Sequence, residues 1–499
     1  MRYKLNNAGL TRLPIDIGQP RYDRTRLRPG IVHLGIGAFH RAHQAFVTDM
    51  ALAADGDLRW GIIGVSLRSP ATRDALAPQD GLYTVSLRDT DATGTSRESL
   101  SIVGALIRVL VAPENPEAVL AQIAHPDTRI VSLTITEKGY CHEPATGRLR
   151  RKDPDIAHDL ANSGRPRSAI GFLAHGLARR RDAGLSPVTL LSCDNLPSNG
   201  DTLRGLVLEF AGQLDPDLHH WIDAHCTFPN TMVDRIVPRT TDADCERIAA
   251  RLGMEDTWPV VGEPFLEWVI EDRFAAGRPG WDQPGGARFV AHAAPHEQLK
   301  LRMVNGPHSA LAYLAASAGL QTVSDAIADP ALRGYLDALM RDEIEPVLPP
   351  IPGVDVTAFR SRILTRFANA ALPHRIQQIA MDGSQKLPQR LLGTLRDRMR
   401  DGNDYQRIAL ALAGWMQYLS GRDEHGRTYA IQDPLADALL ARLSACPDRD
   451  NDRQRARALI NYVPVFGDLA ECAGLIDAVA HQAAVLRRYG VRSAARRAT

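Results

Sequence analysis

Lysine is scarce in this chain of 499 residues. Five of its 59 basic residues are Lys, at positions 4, 138, 152, 300 and 386, and the rest are Arg. Net charge is missing as well: 59 Lys and Arg stand against 58 Asp and Glu, for a formal charge of +1. That balance offers no field for a nucleic acid or an anionic membrane surface. No apolar run approaches the ~18–20 residues that span a bilayer, and the opening MRYKLNNAGLTRLPIDIGQP lacks the apolar core of a secretory leader. The six cysteines (141, 193, 226, 245, 446 and 472) are scattered, without a CxxC pair. A disulfide framework is therefore excluded, and a reduced, cytoplasmic setting is expected. Neither an internal repeat nor a low-complexity linker is visible.

What is present is an ordinary apolar fraction of 44% in a chain longer than one core supports, so two domains are expected. The first half alternates β-type runs (31–35, 60–66, 82–88, 129–135, 188–194) with helical patterns (41–53, 115–124, 168–183, 202–214). That alternation predicts an α/β domain with a largely parallel sheet over residues 1–285. From 286 to 499 helical periodicity takes over, as at 408–419, 435–443 and 456–461, and predicts an all-α domain. The basic end RRYGVRSAARRAT reads as a frayed tail.

IVHLGIGAFHRAHQ sets Gly35 and Gly37 between the first strand and its helix. This is the start of a G-x-G-x-x-G turn, in which Gly35 makes the tight turn and Gly37 lets a pyrophosphate approach the helix N-terminus. Ala38 and Phe39, which follow the turn, complete the candidate cofactor contacts. The third glycine position holds His40. A reader of NAD ends its second strand in Asp or Glu; here Arg68 and Ser69 stand there, with no carboxylate before Asp74. NAD is the expected cofactor, and NADP stays open because a basic Arg68 suits a 2′-phosphate.

The scarcity of lysine gives the survivors meaning, since Lys can lose its proton at accessible pH and Arg cannot. Residues 296–316, HEQLKLRMVNGPHSALAYLAA, carry Lys300, Asn305 and His308 amid apolar neighbours, where polar groups need partners. On an ideal helix Lys300 and His308 lie about 80° apart, and Asn305 and His308 about 60°. They border one wide pocket rather than a line. Pro307 interrupts the hydrogen-bond ladder and is expected to start a new helical segment. This set suits alcohol oxidation, with a lysine base taking the hydroxyl proton and asparagine amides stabilising the alkoxide. A satisfied core lysine would look the same in sequence.

GIGAFHRAHQ, TITEKGY, SCDNLPSNG, FPNTMVDRIVP and LKLRMVNGPHSALAYL, in this order, resemble the mannitol dehydrogenase family of polyol-specific long-chain dehydrogenases. The resemblance implies a Rossmann-type dinucleotide-binding domain followed by a helical C-terminal domain, with zinc-independent, NAD(H)-dependent chemistry. It implies Lys300 as general base, Asn195 and Asn305 as alkoxide stabilisers, and His308 on the substrate. Position 307, small in the family, is Pro here. LPHRIQQIAMDGSQKLPQRLL, TITEKGYC and AGWMQY resemble the fructuronate reductase branch, where Lys138 stands in place of Gly and Gln378 in place of Arg. A hexuronate carboxylate needs cations, so Lys138, Arg375 and Lys386, with Asp234 of FPNTMVDRIVP, are candidate substrate-binding residues. The expected partner is a small sugar acid or polyol, and the expected state is a monomer.

Three other readings remain: a polyol dehydrogenase, a non-catalytic nucleotide sensor, and a metal enzyme. The last would draw on the one dense donor cluster, His219, His220, Asp223, His225 and Cys226. Its spacing lacks metal-ligand geometry, so no metal is expected.

Overall fold

The computed structural model describes residues 3–90, 95–143, 146–448 and 450–499. The chain divides into two compact units, Met1–Asp89 with Arg97–Ala294 and Thr90–Ser96 with Pro295–Thr499. Its strands are β1 (Ile31–Leu34), β2 (Ile62–Ser66), β3 (Tyr83–Thr90), β4 (Ser96–Val103), β5 (Leu106–Val111), β6 (Ile130–Leu133), β7 (Thr189–Ser192), β8 (Thr231–Asp234), β9 (Val260–Gly262), β10 (Glu267–Glu271) and β11 (Arg288–Val290).

Five of them form a parallel sheet in the order β5–β2–β1–β6–β7, with Ile31 of β1 opposite Ile62 on one side and Ile130 on the other. Every residue of β1, β2, β6 and β7 is buried. Strands covered on both faces are largely apolar, which is why these runs do not alternate; their polar members, among them His33, Ser132 and Ser192, are hydrogen-bonded. β5, at one edge, is only partly buried. The chain moves outward from β1 through β2 to β5, then returns to the other side of β1 with β6. This reversal makes the carboxyl ends of β1 and β6 the ligand-binding crevice of such a sheet. Two smaller sheets, β11–β10–β8 and β4–β3–β9, complete the set. The helix expected at 41–53 is two helices, Ala38–Ala42 and Gln44–Asp55. They break at His43 (φ −121°, ψ −95°), whose ring lies against Phe39 and Trp268.

The second unit is helical. Among the described residues, 320–480 holds no strand, only the isolated bridges Thr322–Arg375 and Arg422–Thr428. Its centre is Gly306–Ser317, buried along nearly its whole length, with Gln406–Tyr418 packed against it. The C-terminus corrects the sequence reading. Residues 487–499 are not a frayed tail but lie largely within the helix Ala473–Arg497, which is kinked at Gly490 (φ 74°). Val491, Ala494 and Ala495 are buried, Arg492 pairs with Asp329 at 2.5 Å, and Arg407 donates to the Thr499 carbonyl at 3.1 Å. Those three small residues share one helical face, hidden within a basic run. Among the described residues no helix is long and apolar enough to cross a membrane.

Candidate active site

In the first unit β1 delivers the glycine turn. Gly35 has φ +94°, and a Cβ there would sit 2.1 Å from the Thr134 carbonyl oxygen at the end of β6. Glycine is thus imposed by the close approach of the two central strand ends. Gly37 is exposed, and a Cβ on it would meet only the Gly35 carbonyl, at 3.8 Å, leaving open backbone at the start of Ala38–Ala42. Ala38 and Phe39 are half-buried. His40, at the third glycine position, is fully buried and stacks on His33 of β1 with ring centroids 3.4 Å apart. His33 is hydrogen-bonded to Ser132 Oγ and Thr134 Oγ1 of the β6 side, each at 2.8 Å. Burial holds His33 at about 3 and His40 well below the ordinary imidazole value. Two flat, neutral rings therefore make the close helix–strand packing that the third glycine makes elsewhere.

At the end of β7 the buried Asp194 carboxylate accepts from the Ile135 and Thr136 amides, both at 2.9 Å, and from the Tyr140 hydroxyl at 2.8 Å. Burial still holds its pKa above the usual carboxylate range. These bonds hold Thr136 at φ +62° and ψ 163°, a strained backbone conformation that is nearly confined to glycine. They fix the turn Glu137–Tyr140, which presents an exposed Lys138. Asn199 donates to the Asp194 carbonyl at 2.9 Å, and Thr231 of β8 to the Ser192 carbonyl at 2.7 Å. Asn195 is exposed on a backbone pinned from both sides, and half-buried Asp234 ends β8 opposite Glu267. Arg68, exposed after β2, lines a cleft of about 690 Å³ with Lys138, Arg165 and Arg167.

In the second unit Lys300 ends the helix Ala294–Lys300 and is 7% exposed; Asn305, 9% exposed, closes the π-helical turn Leu301–Asn305 that follows. Pro307 does open a helix, Gly306–Ser317, but the chain stays helical through the junction. Lacking an N–H, Pro307 cannot close the ordinary ladder, and a wider i→i+5 turn takes up the mismatch. The ideal-helix angles therefore do not carry across 301–305. A second π-helical turn, Pro388–Leu392, follows Lys386 and packs against the first. A Cβ on Gly306 would lie 2.7 Å from the Arg390 carbonyl oxygen, so only glycine lets the two turns meet.

His308 is half-buried, stacked on Phe367 at 4.6 Å and edge-on to His374 at 5.0 Å. Its Nε2 and His374 Nδ1 are buried without a hydrogen-bond partner. Burial, then His374, Arg390, Arg366 and Lys386, push His308 well below its usual value. Burial, Arg366 and Lys386 bring His374 to about 4. Arg390 donates to Ser309 Oγ at 3.0 Å, and Lys386 to the Ile379 carbonyl at 3.2 Å. Three cations thus act on His308, and two of them, Arg366 and Lys386, on His374 as well. Arg375 is exposed at the start of Ile376–Ala380.

Residues 29–283 match the mannitol dehydrogenase Rossmann domain, and residues 292–486 the mannitol dehydrogenase C-terminal domain. The chain belongs to the mannitol dehydrogenase family. Within this family, the D-mannonate oxidoreductase of Escherichia coli is 43% identical over 93% of this chain and 94% of its own length. A mannitol 2-dehydrogenase of Phaeosphaeria nodorum is 41% identical over 89% of this chain and 78% of its own. The Pseudomonas fluorescens mannitol 2-dehydrogenase, solved with NAD and D-mannitol, superposes with a TM-score of 0.86 at 37% identity, covering 99% of both chains. A substrate-free D-sorbitol dehydrogenase gives 0.90 at 34%, covering 98% of this chain and 99% of its own. The protein is an oxidoreductase of this family, with a Rossmann-type first unit and a helical second one.

The sequence reading named Lys300, Asn305, His308, Arg375 and Lys386, all in the second unit, and Asn195, Asp234, Lys138, Arg68 and the glycine turn, all in the first. It missed Arg366 and Arg390. Arg390 lies one helical turn beyond Lys386, a spacing that was open to reading; Arg366 comes from Val356–Phe367 and carried no signal. Asp194, the clamp beneath TITEKGY, also went unread, although it precedes Asn195. The donor cluster at 219–226 does not converge: His219 bonds the Leu208 carbonyl at 2.9 Å, Asp223 pairs with Arg204, and Cys226 is buried. Among the described residues no group of three or more His, Cys, Asp or Glu is arranged to hold a metal.

Proposed function

We propose that this protein interconverts the secondary alcohol of a linear sugar acid and its ketone, D-mannonate and D-fructuronate, with NAD(H) and with Lys300 as general base. The observation that carries the acid reading is that Arg366, Lys386 and Arg390 all lie near enough to His308 to oppose its charging, with Arg390 bonded to the adjoining Ser309. Cations gathered about half-buried neutral groups suit a carboxylate far better than an uncharged polyol. The 43% identity to a D-mannonate oxidoreductase supports it. A polyol substrate is the second reading, favoured by similarly close mannitol 2-dehydrogenases.

The first unit fits a dinucleotide. Gly37 leaves open the space a side chain would fill, and Gly35, Ala38 and Phe39 frame it. Bound NAD+ supplies the hydride acceptor. The chain's own residues handle the proton and the charge. Lys300 Nζ takes the hydroxyl proton as an amine, a change of state that Arg cannot make. The Asn305 amide donates to the oxygen as it becomes alkoxide. The His308 imidazole, neutral, orients the substrate by hydrogen bonding without competing for its proton. Lys386 with Arg375 meets the carboxylate.

The test is a panel of D-mannonate, D-altronate, D-mannitol, D-arabinitol and D-sorbitol, followed through appearance of reduced cofactor. Turnover of mannonate above the polyols is expected. Lys386→Met should lose ~2–5 kcal/mol in kcat/KM for mannonate and leave residual mannitol activity nearly unmoved. Good turnover of mannitol with none of mannonate would establish the polyol reading instead.

A further inference from the structure

We propose that His374 is a second imidazole in contact with the substrate: it donates from Nε2 to the substrate carboxylate, while His308 donates from Nδ1 to another oxygen of the same molecule. This rests on the sugar-acid reading given above. It adds a residue that fixes the direction of the carboxylate rather than its charge.

The chain settles where His374 stands. Its carbonyl accepts from the Val323 amide at 3.0 Å, and the Ile376 amide donates to the Gln321 carbonyl at 2.9 Å. These two bonds make the isolated bridge between Thr322 and Arg375. Thr322 is itself fixed by a capping box with Asp325 at the start of Val323–Ala328. The ring is braced from the side as well, because it lies edge-on to His308, which stacks on the buried Phe367. A short side chain on a pinned backbone, held by other rings, is placed in advance of any ligand.

Both rings are half-buried, yet one nitrogen of each, Nε2 of His308 and Nδ1 of His374, is buried without a hydrogen-bond partner. A neutral imidazole has one N–H and one bare nitrogen. An N–H buried without an acceptor is the rarer and costlier orphan. The bare nitrogen therefore faces inward and the proton sits on the other one, Nδ1 in His308 and Nε2 in His374. With the ring planes at 68°, the two N–H groups point in different directions and serve separate oxygens.

Both rings stay neutral. Burial, Arg366 and Lys386 bring His374 to about 4, and burial, His374, Arg390, Arg366 and Lys386 hold His308 well below its ordinary value. Charge is thus left to the cations, and the imidazoles supply what long flexible stems do not, a donor at a fixed place. A carboxylate has about four lone-pair sites, so it accepts from a cation and an imidazole together. An uncharged hydroxyl there gains little from the cations, and its hydrogen bond from a neutral N–H is weaker than a carboxylate's.

The experiment is steady-state kinetics of the full-length enzyme with D-mannonate and D-mannitol, for the wild type, His374→Gln, His374→Asn, His374→Phe, His308→Asn and His308→Gln. A carboxamide replaces one imidazole nitrogen only: by side-chain length Gln puts its NH2 where Nε2 was, and Asn where Nδ1 was. His374→Asn and His374→Phe should raise KM for mannonate roughly ten-fold or more, the scale of one hydrogen bond to a charged group, with a smaller change in kcat. His374→Gln should recover most of that loss. For His308 the order should reverse, Asn recovering and Gln not. The rise in KM for mannitol should be several-fold smaller than for mannonate in every His374 variant. Should His374→Phe fail to fold, seen in its thermal unfolding, the contrast between Gln and Asn still decides. Equal losses in His374→Gln and His374→Asn would overturn the proposal, as would equal losses on both substrates, the mark of a packing residue. Mannonate preference in the wild type with KM unmoved in His374→Phe would overturn this inference alone. A wild type that turns over mannitol and ignores mannonate would overturn the acid reading and this inference with it.

Discussion

At the scale of single residues, lysine can give up its proton at accessible pH and arginine cannot. Lys300 is buried beside a π-helical turn, with Asn305 at that turn's end. If it moves a proton, Lys300→Ala should lose ~10²–10⁴-fold in kcat, the usual reach of general acid–base catalysis. Lys300→Arg should be almost as impaired, because guanidinium stays charged. Dinucleotide affinity, set at Gly35 and Gly37, should change little in either variant. Near-normal turnover in Lys300→Arg would show that only a positive charge is needed. The same scarcity explains what was legible at this scale. Rare lysines stood out in the sequence, and Lys300 and Lys386 were read from it. Arg366 and Arg390 were not, because in a chain where nearly every cation is arginine one more carries no contrast.

At the scale of elements, the sequence discloses what is regular and hides what is not. Four strands of the parallel sheet were read directly, since they are fully buried and largely apolar; β5, partly buried and interrupted by the exposed Arg108, was missed. The two π-helical turns were invisible to a reading that assumes ordinary helical spacing, and Pro307 was the only hint of the first. His40 spoiled the glycine motif in sequence, yet in the structure it completes the packing by stacking on His33. That pair makes a pH prediction. Fully buried His33 stays neutral down to about 3, while in the unfolded chain it takes up a proton below ~6.5. Below that pH the unfolded state binds more protons, so this contribution to stability is complete above ~6.5 and declines as pH falls towards 3, by ~1.4 kcal/mol per unit. His40 acts in the same direction. Urea unfolding between pH 7.5 and 5 should therefore show falling stability, and His40→Phe, a flat ring that cannot titrate, should have a shallower slope. Superimposable slopes would show that this pair does not set the acid sensitivity.

At the scale of the whole molecule, the fold class was legible because the change from strand–helix alternation to unbroken helical periodicity is a long-range feature that no local irregularity erases. The C-terminal end was misread because a basic run masked three small buried residues. Its apolar face is used within the second unit rather than offered outward. The same holds elsewhere: among the described residues the exposed large apolar side chains are Tyr3, Ile15, Val463 and Tyr489, and of these Tyr489 is stacked by Arg488 and Arg497. Obligate self-association commonly buries a contiguous apolar patch of several hundred Å², and the described residues expose just these four large apolar side chains. With a formal charge of +1, there is no strong field of either sign to drive association of copies. We therefore expect a monomer. Sedimentation velocity should give one species near 54.6 kDa, unchanged across roughly 1–50 μM, a range that would populate dimers of about micromolar affinity. A concentration-dependent shift towards twice that mass would show that copies associate through a polar surface, and the interface would then be sought among the surface arginines.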